Sequence, residues 1–513
     1  MSHSIIILVF YLMEQYMFSF TQPRFTAFAS SLALLTSFPV SALDIQPIGE
    51  IQIGQGEGYA EMLRYHAASQ SLVVTASETG TIERISIATP SALSLMSPFD
   101  LDGGDVTAVA VHRDLIAASI KVKPADAAGM VKLFDSDGSL LATYETGALP
   151  DNLAFSPDGR YLLTANEGEP SDDYSIDPEG GFTLIDLSSG PQDATVTQIA
   201  LTGFDVPTGA RVVKPGQSFA ADAEPEYVAF SPDGTMAYAT LQENNAIALI
   251  DIAAKKVTNL VGLGVKNVSR MSHDMSNKDD GINMRRWPVL MMYQPDALAT
   301  YEVNGATYLV TANEGDAKDY DGFSEETRVA KFTLDPTMFP NAEELQKPEN
   351  LGRLKTTTTM GDTDGDGDHD LIYAYGGRSF SIWSQDGSLL FDSGNAFEHL
   401  IAKRSPDIFN ANGGADEKDD RSDDKGPEPE ALALGTIDGR TYAFIGMERN
   451  NAIFAYDITL PSDPHLVGYM MPSANHNSPE GLEFIAAKDS PTGKPLLAIA
   501  FEMTGTVAVY QID

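Results

Sequence analysis

Residues 150–168 read Pro150-Asp-Asn-Leu-Ala-Phe-Ser-Pro-Asp-Gly-Arg-Tyr-Leu-Leu-Thr-Ala-Asn-Glu-Gly168. Two apolar runs, 153–155 and 161–165, flank a Ser-Pro-Asp-Gly turn, and one carboxylate stands just outside each run (Asp151, Glu167). Runs this short between turn-forming residues describe a β-hairpin and exclude a helix.

The same hairpin recurs. Its first strand returns as Pro225-Glu-Tyr-Val-Ala-Phe, Pro295-Asp-Ala-Leu-Ala-Thr, Pro429-Glu-Ala-Leu-Ala-Leu and Pro479-Glu-Gly-Leu-Glu-Phe. Its second returns at 236–241, 307–313, 441–447 and 496–501, and a third apolar strand follows at 182–187, 246–252, 329–334, 452–458 and 506–512. Divergent copies fit at 58–88, 105–135 and 353–392. Small antiparallel sheets repeated in this way bury their faces against one another and avoid long free edges as a ring. The fold expected is all-β, a single β-propeller of antiparallel blades. Eight blades are expected, with seven as the alternative. The last unit shows three strands, so residues 44–53 are expected to supply its fourth and close the ring. Segments 203–224, 262–294, 336–352 and 393–427 interrupt the repeats and are expected as surface loops.

The first strand of a blade lines the central channel and the second returns beside it. The start of one and the end of the other therefore share a face. Both positions are acidic in six units: Glu61 with Glu78, Asp151 with Glu167, Glu226 with Glu243, Asp296 with Glu314, Glu430 with Glu448, and Glu480 with Glu502. The partners are 16 to 18 residues apart in five units and 22 in the sixth. Turn decoration by Asp and Glu is the plain explanation, but it does not require the same two positions in every copy. Carboxylates gathered at one mouth repel, and a hard cation with six to eight oxygen ligands relieves them. The extra acids after the second strand, Glu169, Asp172 and Asp173 in one copy and Asp316 and Asp319 in another, extend the same cluster. Two units place cations there instead, Lys121 with Lys123, and Arg378. Arg378 suits either a bidentate grip on an anion such as phosphate or an ion pair within the ring.

A second acidic element is Asp362-Thr-Asp-Gly-Asp-Gly-Asp-His-Asp370. Asp362, Asp364, Asp366 and Asp370 alternate as side-chain ligands would, with the Asp368 carbonyl between them. The run resembles the calcium hairpin loops of integrin-type propeller blades. Tyr373 stands where a helix–loop–helix calcium site needs Glu, and an apolar run follows in place of a helix.

Composition limits the partners. The 513 residues hold 73 acidic and 33 basic side chains, a net charge of −40, which argues against nucleic acid and anionic membranes and is compatible with divalent cations or with a salty exterior. No cysteine is present, which excludes disulfides and thiolate chemistry. An apolar segment ending at Val40-Ser41-Ala42 fits an export signal over 1–42, with Met17 as the natural start, and leaves 43–513 as the propeller domain. No later segment reads as a membrane span, so the mature chain is expected to be a monomer in the periplasm or outside the cell. Nucleophile-elbow, P-loop, zinc-protease and dinucleotide motifs are all missing.

The blocks at 150–174, 222–234, 278–301, 308–329, 361–383, 419–435 and 477–484 together resemble the choice-of-anchor I family of secreted bacterial proteins, which is similar to propellers of the WD40/YVTN/lactonase kind. The resemblance implies a propeller, and some relatives carry an alkaline phosphatase label. Members usually end in a surface anchor; the sequence stops at Asp513 inside its last repeat, which implies release. Two functions follow. The first is a calcium-binding propeller that recognises an envelope or extracellular polymer or another exported component. The alternative is a calcium-dependent phosphoester hydrolase acting on a phosphorylated small molecule, with Glu314 and Asp316 on the metal and Arg378 on the phosphate.

Overall fold

The computed structural model describes residues 42–102 and 104–513; the export segment expected over 1–42 lies outside them but for its last residue. Seven antiparallel sheets of four or more strands make the blades, numbered here in chain order. Their first strands are Leu63–His66, Asp105–His112, Pro150–Phe155, Pro225–Phe230, Leu298–Val303, Pro429–Ile437 and Pro479–Ile485. Each first strand touches the first strand of the next blade, and the seventh touches the first, so the ring closes. Closure is made by Ile45–Gln52, which pairs antiparallel with Thr506–Ile512 as the outer strand of blade 7. The closing strand is the one the sequence indicates.

The ring has seven blades, not the eight expected. The unit read at 353–392 is no blade of its own: Ser379–Ser384 pairs with Ala306–Asn313, and Leu389–Asp392 follows outside it. Blade 5 therefore leaves the propeller after its second strand and returns at residue 379. The run 329–334, expected as its third strand, instead forms a 3-10 turn at Val329–Lys331. Both candidates alternate well enough for a strand; pairing across the long excursion decided between them.

The interruptions are more than loops. Val265–Asn267, Leu290–Met292 and Tyr373–Ala374 form a small sheet of their own. It belongs to a separate apolar core that includes Trp287, Met291, Phe339, Leu351 and Ile372. Segment 393–427 carries the helix Ala396–Arg404, and its charge run is folded in, with Asp423, Asp424 and Glu428 buried. These insertions leave either between blades or after a second strand. Antiparallel order puts all those points on one face, the face of the first-strand starts.

Candidate acidic channel mouth

Four first strands begin Pro-acid and a fifth, that of blade 5, follows Pro295-Asp296, and the backbone there is irregular in a consistent way. The ladder slips between Pro150 and Asn152, Pro225 and Val228, Pro429 and Leu432, and Pro479 and Gly481. A bulge of this kind re-aims the residue it carries, here Asp151, Glu226, Glu430 and Glu480. The residue before proline is held at positive φ in four of the five starts, Leu149 (45°), Gln294 (44°), Glu428 (53°) and Ser478 (64°). Non-glycine residues rarely adopt that region, so the chain stores strain where the carboxylates enter.

The result is a cavity of about 200 Å³ on the ring axis, lined by Asp151, Glu226, Asp296, Glu430 and Glu480. Glu61 joins Asp151 and Glu480 in an adjoining hollow, to which blade 2 contributes Asp105, Thr107 and Lys121. Burial, then mutual repulsion, pushes Glu226, Asp296, Glu430 and Glu480 well above the usual carboxylate range. Burial lifts Asp151 to about 6 despite Lys121 nearby. Oε2 of Glu226, Glu430 and Glu480 is buried with no hydrogen-bond partner. Leaving such atoms unmatched is costly.

A second layer of acids surrounds this ring, and protein cations serve most of it. Lys425 Nζ is 2.7 Å from Glu314 Oε1 and 3.3 Å from Glu428 Oε2. Arg449 reaches Glu448 at 2.9 Å, Lys318 reaches Glu224 at 2.5 Å, and Lys121 reaches Glu169 at 3.2 Å. Lys425, Arg421 and Arg449 together hold the buried Glu428 down at about 2. Burial still lifts Glu448 to about 8 and Glu502 to about 7. Glu243 is the exception: it is buried, its Oε2 has no partner, and burial beside Glu224 drives it well upward. Glu167 is likewise raised, by burial and then by Asp151 and Glu224. Glu78 lies exposed at the edge of the mouth.

Among the described residues, acidic groups able to hold a metal ion occur in two places. At the mouth, ligand atoms of Asp296, Glu314 and Glu430 lie within 4.8 Å of one another, as do those of Glu314, Glu428 and Glu448. In the aspartate loop, Asp362, Asp364 and Asp370 form one such group, and Asp335, Asp368 and Asp370 another. Asp366 is in neither; its Oδ1 accepts from the Asp368 N–H at 3.1 Å.

Arg378 is placed elsewhere than the phosphate grip requires. It is buried, and its Nη1 donates to Asp274 O at 2.6 Å and Glu398 Oε1 at 2.8 Å. Nη2 donates to Ser422 O at 2.9 Å and Asp424 O at 2.7 Å. The guanidinium ties the insertions to blade 5; it forms an ion pair, but with Glu398 of the helix Ala396–Arg404 and not with an acid of the ring. Asp316 stays at the mouth, 3.8 Å from Lys425 Nζ.

A family model described as the choice-of-anchor I domain matches residues 61–461. The chain belongs to the choice-of-anchor I family. Gigasin-3a of Magallana gigas is 30% identical to this choice-of-anchor I protein over 190 residues, 33% of this chain and 66% of that one. The mesenchyme-specific cell surface glycoprotein of Strongylocentrotus purpuratus is 27% identical over 280 residues, 47% of this chain and 35% of that one. The chain thus spans less than two thirds of either relative. Among solved structures, the β-propeller domain of Cps50 (Swd1) from Myceliophteria thermophila matches at 10% identity and TM-score 0.48, covering 92% of this chain and all of that one. Hydrazine synthase of Kuenenia stuttgartiensis matches at 12% identity and TM-score 0.49, covering 89% of this chain and 96% of that one. The propeller assignment rests on the closed ring of seven sheets described above.

Sequence reasoning missed several residues that shape this choice-of-anchor I mouth. Lys425 and Arg421 sit in segment 393–427, expected as a surface loop, with Glu428 just beyond it, and only the alternation of signs there hinted at internal pairing. Glu224 sits next to Pro225 and passed as part of an interruption. Arg64 and Tyr227, which face the channel, belong to apolar-looking strands whose inward positions could be counted but not matched across the ring.

Proposed function

We propose that this chain is an exported calcium-binding propeller that recognises a component of the cell envelope or its surroundings, and that the channel mouth is its binding centre. One observation carries the reading: the outer acids are mostly neutralised by protein cations, whereas the inner ring keeps buried carboxylate oxygens with neither cation nor donor. A hard divalent cation supplies what those oxygens lack, and calcium tolerates the uneven geometry of five separate strands. Asp296 and Glu430 would hold it beside Glu314, which shares its charge with Lys425 at 2.7 Å, and Glu226, Glu480 and Asp151 would complete the charge. A second ion in the aspartate loop would staple the insertion of blade 5. Among the described residues no helix is long and apolar enough to cross a membrane. The cell-surface name of the sea-urchin relative supports export.

The hydrolase alternative asked Arg378 to steady a phosphate, and that guanidinium is committed to Glu398 and three carbonyls. It is not carried forward. Thermal unfolding of the full chain with calcium and with excess chelator tests the calcium reading. A rise of several degrees with calcium is expected, and identical curves would sink it.

A further inference from the structure

The floor of the channel differs in charge from its rim. Arg64 Nη2 donates to Tyr227 Oη at 3.1 Å, and Nη1 donates to Leu63 O at 2.7 Å. Arg64 belongs to blade 1 and Tyr227 to blade 4, three blades away in a ring of seven, so their hydrogen bond crosses the channel. The opening is therefore a cup. Arg64 and Tyr227 line the same cavity of about 200 Å³ as the five carboxylates. That is far more room than a single water needs.

Arg64 has no ion-pair partner among the described residues. Tyr227 and the nearby Glu483 carboxylate both favour the charged guanidinium, but Glu483 stays beyond ion-pair distance and its Oε1 accepts the Tyr65 N–H at 3.4 Å. The Tyr227 oxygen accepts from Arg64, so its own proton remains to donate. Asn152 lines the cup as well and spends only its Oδ1, which accepts the Val228 N–H at 3.4 Å. The cup thus has an acceptor rim over a donor floor.

We infer that the cup binds a small oxyanion together with the metal ion, the anion bridging the cation at the rim to Arg64, Tyr227 and Asn152 at the floor. The inference rests on the reading that the rim holds calcium. Without the cation the rim offers an anion only acidic groups, so the cation must bind first. Once it does, the anion completes the cation's oxygen shell and pairs the guanidinium, whose planar fork suits carboxylate and phosphate oxygens. Because linkage is reciprocal, the anion must raise calcium affinity by the same factor that calcium raises its own.

The test is calorimetric titration of calcium into the metal-stripped full chain, with and without inorganic phosphate at concentrations that do not precipitate. A parallel arm uses acetate. Phosphate is expected to tighten calcium binding roughly tenfold, within the usual range of such couplings. Phosphate titrated without calcium should give no heat of binding. Arg64→Met should keep calcium binding and lose the phosphate effect, while Arg64→Lys, which preserves the charge without the fork, should keep part of it. An effect from acetate as well identifies the oxyanion as one that carboxylates can supply; an effect from phosphate alone restricts it to phosphate. Calcium binding that ignores both anions in the wild type, or phosphate coupling that persists in Arg64→Met, overturns the inference. Absence of any calcium binding would strike at the rim reading instead, and the phosphate-free titration separates the two.

Discussion

Tyr174 and Tyr320 meet edge to face, with ring centroids 5.4 Å apart. They end two near-identical stretches, 164–174 and 311–320, which follow the second strands of blades 3 and 5. The loops span blade 4 between them: Phe323 packs on the same ring, and Gly322 N donates to Asp172 O at 2.7 Å. Lys214 Nζ sits 3.4 Å from the Tyr174 ring centroid. An aromatic pair of this geometry contributes about 1 kcal/mol beyond its buried area. A double-mutant cycle with Tyr174→Leu and Tyr320→Leu, followed by urea unfolding, should give a coupling of about that size. Simple additivity would mean that the loops do not support each other.

The channel acids set a pH dependence. Asp151, Glu448 and Glu502 lie at about 6, 8 and 7 in the folded, metal-free protein, and the inner-ring acids are also raised. Unfolding returns them to about 4, so the folded state binds more protons between these values. Metal-free stability is then fully present below about pH 4 as far as these groups are concerned, and it is lost as pH rises through 6 to 8. Melting temperature without metal should fall from pH 5 to pH 8.5, and calcium should remove the fall while releasing protons to the buffer. A metal-free melting temperature that climbs over that interval would contradict the placement of these acids.

Lys425 stands where a metal would otherwise go. Its ammonium touches Glu314 and Glu428, two of the three acids in the second metal-capable group at the mouth. Lys425→Met removes one partner of a buried ion-pair network, at a cost of about 3 kcal/mol without metal. It also frees Glu314, Glu428 and Glu448 for an ion. Calorimetry should therefore count one more calcium in the variant than in the wild type, with part of the lost stability restored. An unchanged count would mean that Arg449 and Arg421 suffice to keep metal out.

Asp370 is shared by both metal-capable groups of the aspartate loop, and its Oδ2 accepts the Thr363 N–H at 2.8 Å. Asp370→Asn should lower the calcium count by one and leave titration at the channel unchanged. Loss of both sites together would show that the loop and the mouth are one cooperative unit.

Much of the fold was written in short-range pattern. The Pro-acid starts, the Ser-Pro-Asp-Gly turns and the spare strand at Ile45–Gln52 all follow from residues next to one another. The blade count failed where pairing was long-range: nothing local in 379–384 says that it belongs beside 306–313 and not in a blade of its own. The mouth was legible as a list of acids because each sits at the same place in its repeat. Which of them is neutralised was not legible, since Lys425, Lys318 and Arg449 arrive from loops whose course only tertiary packing fixes. Arg378 shows the same limit, as its acceptors come from three separate segments.

The most direct test of the central claim is calcium titration of the metal-stripped full chain against Glu430→Gln. Glu430 offers a ligand atom within 4.8 Å of Asp296 and Glu314, and its Oε2 is buried without a partner. Gln keeps the shape and removes a repelled charge, so the variant should fold and melt no lower than wild type in chelator at pH 8. The account predicts that the channel calcium is lost or weakened at least tenfold while the loop calcium remains. A calcium isotherm identical to wild type would contradict it.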